Sequence, residues 1–415
     1  MTWGQMAFFV AMFLSIAFPV AIIFYARLVR PLKLCRRHRI ALGIVVFAVV
    51  LLAGASTPIA SLIARDTELA QKLHFGVWGG LPYYLMTFVW ALVTCLFVRG
   101  VLVYGSRICM ALAKCVRKDK VATPLDSDDI DEGRRLFLER AKQAATIGVA
   151  VVCVPPVVYD ARGRRVIRRV EIDFDDLPEA LDGLRIAHLS DIHVGNTMYR
   201  ENIADIVKET NELDPDIIAI TGDLADGYPE VIGSWIDPMR EFRAKYGTYF
   251  VTGNHDHMWN ARGWVHKVES LGIVHLDNEH RIIDVDGTPL AIAGAIDARG
   301  ERRGRWQSDP EKALSGIGTN VFKLMLVHQP ASVDRSLAAG ADLVLVGHTH
   351  GGQFWPLSYL IDVLHHYARG LYRVGFGKQK AVYVSCGTGY WGPPIRIGVP
   401  PEIIDIRLVR RRRSD

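Results

Sequence analysis

The 415-residue sequence predicts a group of membrane-spanning helices followed by a soluble α/β domain with largely parallel sheets. Three observations predict this division. Long runs without a charged residue occupy much of the first part, and the mean hydropathy of the chain is mildly positive at +0.16. From about Val170 onward, short runs of β-preferring residues alternate with helical stretches, which is typical of parallel sheets covered by helices.

Three segments in the first part are long enough, as helices, to cross a hydrocarbon core of about 30 Å. They cover residues 4–26, 40–63 and 75–98, and the third is rich in Trp, Tyr and Phe, as interfacial belts are. The first segment lacks a basic stretch before it and a small-residue cleavage site after it, so we expect an anchor rather than a signal peptide. We therefore predict three transmembrane helices within residues 1–104.

A fourth apolar segment, residues 144–159, is only about 24 Å long as a helix, and we expect Pro155-Pro156 to interrupt it near its end. The stretch GRRLFLERA begins just before it, at Gly133. Its arginine pair and aromatic-leucine step are similar to a twin-arginine export signal, here internal, and an ordinary basic cluster beside a membrane is the alternative. We predict a cytoplasmic linker over residues 105–143 and a fourth membrane segment over residues 144–159.

Basic residues in the connections predict orientation through the positive-inside tendency. They are abundant in residues 27–39 and 107–135, whereas residues 64–74 hold only two. Both rich connections are then cytoplasmic, and a crossing fourth segment places residues 160–415 on the outer face, periplasmic or extracellular. The arginines that follow that segment, Arg162, Arg164, Arg165, Arg168 and Arg169, favour a cytoplasmic domain if the segment does not cross. We expect a multi-pass protein of the cell (inner) membrane with the domain outside.

Charge and cysteine content exclude several classes of function. The net charge of +5 is modest, and no basic stripe interleaved with aromatic residues occurs, so we expect no nucleic-acid partner. Of the six cysteines, only Cys386 lies well inside the second part, and the sequence contains no CxxC pair. A disulfide there, redox chemistry and a cysteine zinc site are therefore not expected.

Polar motifs stand where the predicted strands of the second part end. Strands are predicted at residues 185–190, 217–221, 249–252, 290–295, 323–328, 343–346 and 381–385, and helices at 200–212 and 264–271. Five of these strands run into HLSDIHVG, TGDLAD, TGNHD, LVHQP and GHTHGG. The motifs carry Asp191, His193, Asp223, Asn254, His255, Asp256, His328, His348 and His350. Because the carboxyl ends of parallel strands meet at one edge, these side chains can converge.

The converging side chains indicate a metal centre. The GHTH pair alone is weak support, since two histidines one residue apart are often surface residues. Setting aside His255 and Asp256, the whole set has two aspartates, one asparagine and four histidines. That is too many ligands for one tetrahedral zinc, and it suits two divalent ions about 3.5–4 Å apart with a carboxylate between them. Mixed ligation of this kind admits manganese, iron, zinc or nickel.

The order of the motifs, DxH, GDxxD, GNHD, a single His and GHTH, resembles the calcineurin-like metallophosphoesterase superfamily. The longer GHTHGGQ and the later VSCGTGYWGPPIRIGVPPEI resemble its bacterial YkuE/YaeI-like branch. The likeness covers about residues 185–408, and it implies a four-layer α/β/β/α sandwich. It also implies one ion held by Asp191, His193 and His350, another held by Asn254, His328 and His348, and Asp223 bridging the two. By the same resemblance, His255 contacts the phosphate and assists the leaving group, and Asp256 orients His255.

These roles predict a membrane-anchored, dinuclear phosphoesterase in which a metal-bridging hydroxide attacks a phosphodiester or pyrophosphate bond. Tethering to a bilayer favours a lipid-linked or cell-envelope substrate, and the resemblance points the same way. The alternative is a membrane sensor or scaffold whose phosphoesterase domain binds phosphate without turnover. The complete ligand set argues against that alternative, because a degenerate domain would have lost a ligand.

Several residues near the motifs carry two interpretations. His188 and His257 are either packing or supporting residues, or ligands, and the first is preferred. Asp226 either orients a ligand or caps its turn, and Arg396 either clamps a phosphate or is a surface arginine. His365 and His366 are expected at the site entrance or on a membrane-facing loop rather than at a metal. Residues 410–413, all arginine, are expected to be a solvated tail, with anionic lipid headgroups as the alternative partner.

Overall fold

The computed structural model describes residues 3–63, 79–116, 132–163, 165–298, 307–375 and 379–411. The chain divides into two compact units, Met1–Pro156 and Val157–Asp415. Long helices make up the described part of the first unit, and two β-sheets with covering helices make up the second.

Four long helices lie at the beginning of the chain: α1 Trp3–Phe24, α2 Arg36–Ile63, α3 Leu81–Val116 and α4 Glu132–Arg162. They pack through small residues, among them Ala21, Ala91 and Ala150, which let helix backbones approach closely. Large apolar side chains point outward, such as Leu102 at 67% exposure and Val152 at 71%. An apolar exterior, around a buried cluster in which four of the eight residues are alanine, is the arrangement expected of helices that lie in lipid.

Among the described residues, three stretches are long and apolar enough to cross a membrane: Leu14–Leu32, Leu81–Leu112 and Gly133–Arg162. The predicted second segment corresponds to α2, whose side chains beyond residue 53 are outside the described residues, as are residues 75–78 of the third. The expectation that Pro155-Pro156 interrupts the fourth segment is wrong, because α4 continues through both prolines to Arg162. GRRLFLERA is the first part of this same helix, so no helix boundary separates it from the apolar segment.

The second unit contains twelve strands among its described residues. They are β1 Val166–Phe174, β2 Arg185–Leu189, β3 Ile217–Thr221, β4 Thr248–Val251, β5 Val274–His275, β6 Glu279–Val285, β7 Thr288–Gly294, β8 Phe322–Leu326, β9 Leu343–Val346, β10 Gly370–Val374, β11 Lys380–Val384 and β12 Glu402–Arg410. One sheet has the order β1-β12-β2-β3-β4-β5 and the other β10-β11-β9-β8-β7-β6. Strands β2 to β5 of the first sheet run parallel, as do β7, β8, β9 and β11 of the second, as the alternation of strands and helices predicts.

The two sheets pack face to face. Ile186 and Ile217 of the first sheet share one buried apolar cluster with Ile292, Leu324 and Leu345 of the second. The outer helices are α5 Arg200–Asn211, α6 Pro229–Ile232, α7 Asn254–Met258, α8 Ala261–Ser270, α9 Pro310–Leu314, α10 Val333–Ala338 and α11 Leu357–Leu364. A second apolar cluster joins α9 and α10 to the outer face of the second sheet, and α5 and α8 bury their own apolar sides. The mixed α/β sandwich with apolar helices before it confirms the predicted fold class.

All nine motif residues come directly after strand ends, as the sequence predicts. Asp191 and Asp223 each stand two residues beyond the end of β2 and β3. His328 follows β8 at the same distance, and His348 follows β9. Because these four strands are parallel within their sheets and the sheets are stacked, the motif loops gather at one end of the sandwich.

Candidate metal centre

Five of the seven predicted metal ligands have an unusual backbone conformation. Their φ angles lie between 50° and 73°, in the left-handed region, and the residues are Asp191, His193, Asp223, His348 and His350. Few non-glycine residues adopt this region, and Asp, Asn and His are the ones that tolerate it best. Each of these five residues therefore lies at a tight turn of the backbone. The turn directs the side chain across the ends of the strands and not along the strand axis.

The first group of ligand atoms comes from β2 and β9. Nε2 of His350 lies 3.3 Å from Oδ1 of Asp191 and 3.1 Å from Nε2 of His193. Asp191 also accepts hydrogen bonds from the Ser190 hydroxyl at 2.6 Å and from the His348 amide. All three groups are buried, and their donor atoms point at a common space.

The second group contains Asp223, His328 and His348, whose ligand atoms also lie within 4.8 Å of one another. Nε2 of His328 lies 3.1 Å from Oδ2 of Asp223 and 3.2 Å from Oδ1 of Asn254. The other ring nitrogen of His328 donates to the Thr221 carbonyl at 2.7 Å, which makes Nε2 the nitrogen whose lone pair would bind an ion once its proton is displaced.

Asp223 lies between the two groups. Its Oδ2 is 3.1 Å from Nε2 of His328 in the second group and 3.7 Å from Nε2 of His193 in the first. Its other oxygen accepts a hydrogen bond of 2.7 Å from the amide of His255. A carboxylate in this position can bind an ion of either group.

The donor set fits divalent cations. Carboxylate, amide and imidazole donors together suit first-row divalent metals, and three neighbouring imidazoles among buried carboxylates are hard to satisfy by hydrogen bonds alone. His193 and His350 face each other through Nε2, an arrangement in which both lone pairs can meet one ion. Asp191, His193 and His350 form one cluster able to hold a metal, and Asp223, His328 and His348 form another.

The contact that orients His255 comes from a different aspartate than expected. Nδ1 of His255 lies 2.5 Å from Oδ1 of Asp226, and the same oxygen is 3.2 Å from Nδ1 of His193. The carboxylate of Asp256 instead accepts hydrogen bonds from the amides of Gly253 and Leu224 at 2.7 and 2.9 Å. These contacts favour Asp226 over the predicted Asp256 as the residue that orients His255, because the Asp256 carboxylate bonds to the loop backbone and that of Asp226 to the imidazole.

Arg396 is buried, so the surface-arginine interpretation is wrong. Its guanidinium donates to Nδ1 of His350 at 2.9 Å and to the His350 carbonyl at 3.1 Å. These two contacts fix the ring so that Nε2 faces Asp191 and His193. Burial, only partly offset by Cys386, lowers the pKa of Arg396 to about 10, and the group stays charged at neutral pH.

The other histidines for which the sequence allowed two interpretations lie outside both ligand groups, in the part of the chain that the structure describes. His188 is buried beside Thr221, with Nε2 2.8 Å from the hydroxyl, and burial lowers its pKa to about 3. His257 contacts the Thr252 hydroxyl at 3.0 Å. His366 stacks edge-to-face on Tyr367, outside the centre.

One hydrogen-bonded pair beside the ligands was not predicted from the sequence. Gln329 donates to both carboxylate oxygens of Asp297, at 2.9 and 2.8 Å, and lies 3.4 Å from Oδ1 of Asn254. Asp297 is fully buried and follows β7. The rule that chemistry follows strand ends, applied to β7 as well, would have found it.

Neighbouring charges strongly shift the pKa values of the buried groups. Burial opposes ionisation of Asp223, but His328 and His255 overcome it and hold its pKa well below the ordinary value. Burial likewise opposes protonation of His328, and the Asp223 carboxylate overcomes it and raises the pKa well above the ordinary value. Burial and then Arg396 lower the pKa of His350, which favours the neutral imidazole that binds metals. For Asp256, burial and then Asp223 raise the pKa to about 7.

Gly347 allows the close approach of β9 to the first ligand group. A Cβ at this position would lie 1.9 Å from the Ser190 hydroxyl and 2.4 Å from Oδ2 of Asp191. Such distances exclude any side chain, so glycine is required for the chain to reach His348 and His350 at this depth.

Comparison with known proteins gives related sequences for the second unit. The family model described as calcineurin-like phosphoesterase matches residues 184–352. A Danio rerio protein named "Transmembrane protein with metallophosphoesterase domain" is 39% identical over 272 residues, which are 64% of this chain and 62% of that protein. A Helicobacter pylori protein named "Uncharacterized metallophosphoesterase" is 33% identical over 258 residues, 62% of this chain and 67% of that protein.

This chain thus spans less than two thirds of the length of the Danio rerio relative. Among solved structures, the NAD nucleotidase of Haemophilus influenzae aligns with 50% of this chain and 51% of its own, at 17% identity and a TM-score of 0.35. A likeness at that level carries no argument about activity, and the sequence relatives are the informative comparison.

Proposed function

Because the chain belongs to the calcineurin-like metallophosphoesterases, we propose that it is a membrane-anchored hydrolase of phosphodiester or pyrophosphate bonds that uses two divalent ions. The observation that supports this most strongly is the position of Asp223 between two groups of ligand atoms. One group supplies Asp191, His193 and His350, and the other supplies Asn254, His328 and His348.

Two divalent ions bound here would neutralise phosphate oxygens and lower the pKa of a water molecule held between them. The protein residues have separate tasks. Asp223 would hold the ions at a fixed separation, and Arg396 and Asp226 would hold the imidazoles of His350 and His193 at the required angles. The buried loops exclude bulk water from the ligand atoms.

His255 is the candidate proton donor to the leaving group. Asp226 contacts its Nδ1, which leaves Nε2 for a substrate oxygen, and 13% of the side chain is exposed. Burial opposes protonation, but Asp226 and Asp223 outweigh it and raise the pKa of His255 to about 9. A carboxylate partner such as Asp226, which favours the protonated ring, is what a general acid at this position requires.

A lipid-linked or cell-envelope phosphoester is the substrate class that we propose. Three described stretches of the chain are apolar enough to cross a membrane, so the domain works close to a bilayer. Membership of the YkuE/YaeI-like branch, suggested by GHTHGGQ and PPIRIG, is part of this proposal.

The test is hydrolysis of bis-p-nitrophenyl phosphate by the purified full chain, with manganese added and metal content measured by mass spectrometry. We expect about two ions per chain and turnover that a chelator abolishes. A chain that carries both ions and does not hydrolyse this ester would favour the second candidate, a membrane sensor that binds phosphate without cleaving it.

A further inference from the structure

Helix α11 has the reverse of the usual amphipathic arrangement. Its one buried residue is polar, Ser358, and of its large apolar side chains only Ile361 is half-buried while the others are exposed. Leu360 is 50% exposed and Val363 82% exposed. Surface helices of water-soluble domains turn their apolar side to the core, so an outward apolar face indicates a partner surface.

The exposed apolar side chains of α11 and its neighbours form one surface, named here the α11 patch. Its members are Trp355, Leu357, Tyr359, Leu360, Val363, Leu364 and Trp391. Three of the seven are Trp or Tyr, whose rings combine an apolar body with a polar edge and are favoured at membrane–water boundaries. The single acidic group of the helix, Asp362, pairs with Arg369 at 2.6 Å, which reduces the cost of taking it out of water.

The α11 patch adjoins the candidate metal centre. Only four residues separate the turn His350–Gly352 from the start of α11, and a Cβ on Gly352 would lie 2.6 Å from the Cα of Ser358. Trp391 is held by two backbone hydrogen bonds of 2.9 Å to the side chain of Gln353. Its ring centroid is 6.1 Å from that of His255. The patch and the candidate proton donor are therefore neighbours.

The α11 patch also lies at the end of the sandwich where β1 begins, shortly after α4 ends. Arg396 contacts His350, the carbonyl of Ile397 accepts from the amide of Trp355, and the carbonyl of Pro401 accepts from the amide of Val166. Residues 396–401 therefore contact the loop of His350, the α11 patch and the beginning of β1. Val166 follows the last residue of α4 by four positions.

We propose that the α11 patch inserts into the surface of the bilayer that holds the chain's own apolar helices. The bilayer is favoured over other partners because the patch lies at the end of the sandwich where β1 begins, four residues after the apolar helix α4 ends, and because it contains aromatic residues of the kind found at membrane–water boundaries. Inserted in this way, the patch brings the mouth of the metal centre to the level of lipid headgroups. The insertion stands on geometry alone, whereas its consequence, preference for a bilayer-borne phosphoester, rests on the proposed function.

Photolabelling tests the insertion directly. The full chain is placed in nanodiscs that each hold one copy and contain phosphatidylcholine with a diazirine in its acyl chain, and the labelled peptides are identified by mass spectrometry. We expect label on residues 355–364 in addition to the apolar helices. In the double variant Leu360→Glu/Val363→Glu that label should fall at least tenfold, because a carboxylate resists insertion into lipid. The matched control is Ile282→Glu, at an exposed apolar residue of β6.

An unlabelled 355–364 segment alongside labelled helices would overturn the proposal. The proposal is also refuted if, in nanodiscs that hold two copies, the segment crosslinks to the second chain and carries no lipid label. In that case the patch joins two chains.

A pair of substrates tests the consequence. Hydrolysis of phosphatidyl-p-nitrophenol within the nanodisc is compared with hydrolysis of bis-p-nitrophenyl phosphate in solution. For the double variant, the ratio of the two rates should fall at least tenfold, and for Ile282→Glu it should stay unchanged. An equal ratio in all three proteins would contradict the preference for bilayer-borne substrate. Failure of the wild type to hydrolyse either ester would refute the proposed function, while the photolabelling result would still decide the insertion.

Discussion

Asp223 has the position on which both ligand groups depend. Replacing it by Asn keeps the size and tolerates the left-handed backbone, but removes the charge that offsets two cations. We expect Asp223→Asn to retain at most one ion per chain and to lose about 100-fold or more in turnover. Metal analysis and the bis-p-nitrophenyl phosphate assay check this, with Asp286→Asn, an exposed turn residue that also has positive φ, as control. A variant that keeps two ions would refute the bridging role.

His255 is expected to act on the substrate and not on the ions. His255→Ala should therefore keep its metal content and lose turnover by about 10²–10⁴-fold, the usual contribution of a general acid. Metal analysis of the same preparation separates the two effects. If the variant loses an ion, His255 is a ligand, and the cluster that it forms with Asp226 and His193 holds metal.

The two histidines of GHTH belong to different ligand groups. His350 lies with Asp191 and His193, and His348 lies with Asp223 and His328. We expect His348→Ala and His350→Ala each to release one ion preferentially, seen as one tight and one weak site in a metal titration. Equal weakening of both sites in either variant would contradict this division.

At the scale of elements, the end of β9 fits its neighbours without spare room. Gly347→Ala would place a Cβ 1.9 Å from the Ser190 hydroxyl, so β9 must move away from β2. We expect a loss of about 1–3 kcal/mol in the free energy of unfolding and weaker metal binding. The matched control is Gly318→Ala, where the nearest neighbouring atom is 3.7 Å away. Equal melting temperatures for the two variants would contradict the packing argument.

Elements with strong local signals are the ones that sequence predicts. The bounds of β3 and β9 agree with their apolar runs, and α5 agrees to within one residue. By contrast, β1 and β12 pair with each other across more than 200 residues, and nothing local to either indicates the partner. The extent of α4 was missed because a local rule treats two adjacent prolines as the end of a helix, whereas membrane helices tolerate proline better.

At the scale of the whole molecule, the side of the membrane on which the second unit lies is the main expectation to test. We expect the unit on the outer face, because basic residues crowd the connections 27–39 and 107–135. In a chain whose exposed native cysteines are replaced by serine, Glu179→Cys should react with a membrane-impermeant maleimide in intact spheroplasts. Glu179 suits this test because 92% of its side chain is exposed.

Arg134→Cys, in the predicted cytoplasmic stretch, should react only after lysis. If instead Glu179→Cys reacts only after lysis and Arg134→Cys reacts in intact spheroplasts, the second unit lies in the cytoplasm, as the arginines after α4 would favour.

Motif order alone predicts the ligand residues of the candidate site, whereas the contacts between them follow only from the structure. Asp226 and Asp256 both stand in motifs, and the family resemblance implies the orienting role for Asp256. In the structure it is Asp226 that contacts the His255 ring, since the loops after β3 and β4 meet side by side. Arg396 is still harder to predict, because 46 residues separate it from His350.

The left-handed backbone at five ligand positions also restricts how this centre can change during evolution. Asp, Asn and His tolerate that conformation, so exchanges among them keep the loops intact. Every such exchange retains oxygen or imidazole nitrogen as the donor atom. Such exchanges keep the site within the ligand chemistry that manganese, iron, zinc and nickel accept. A thiolate-rich site selective for softer metals would require the loops themselves to be rebuilt.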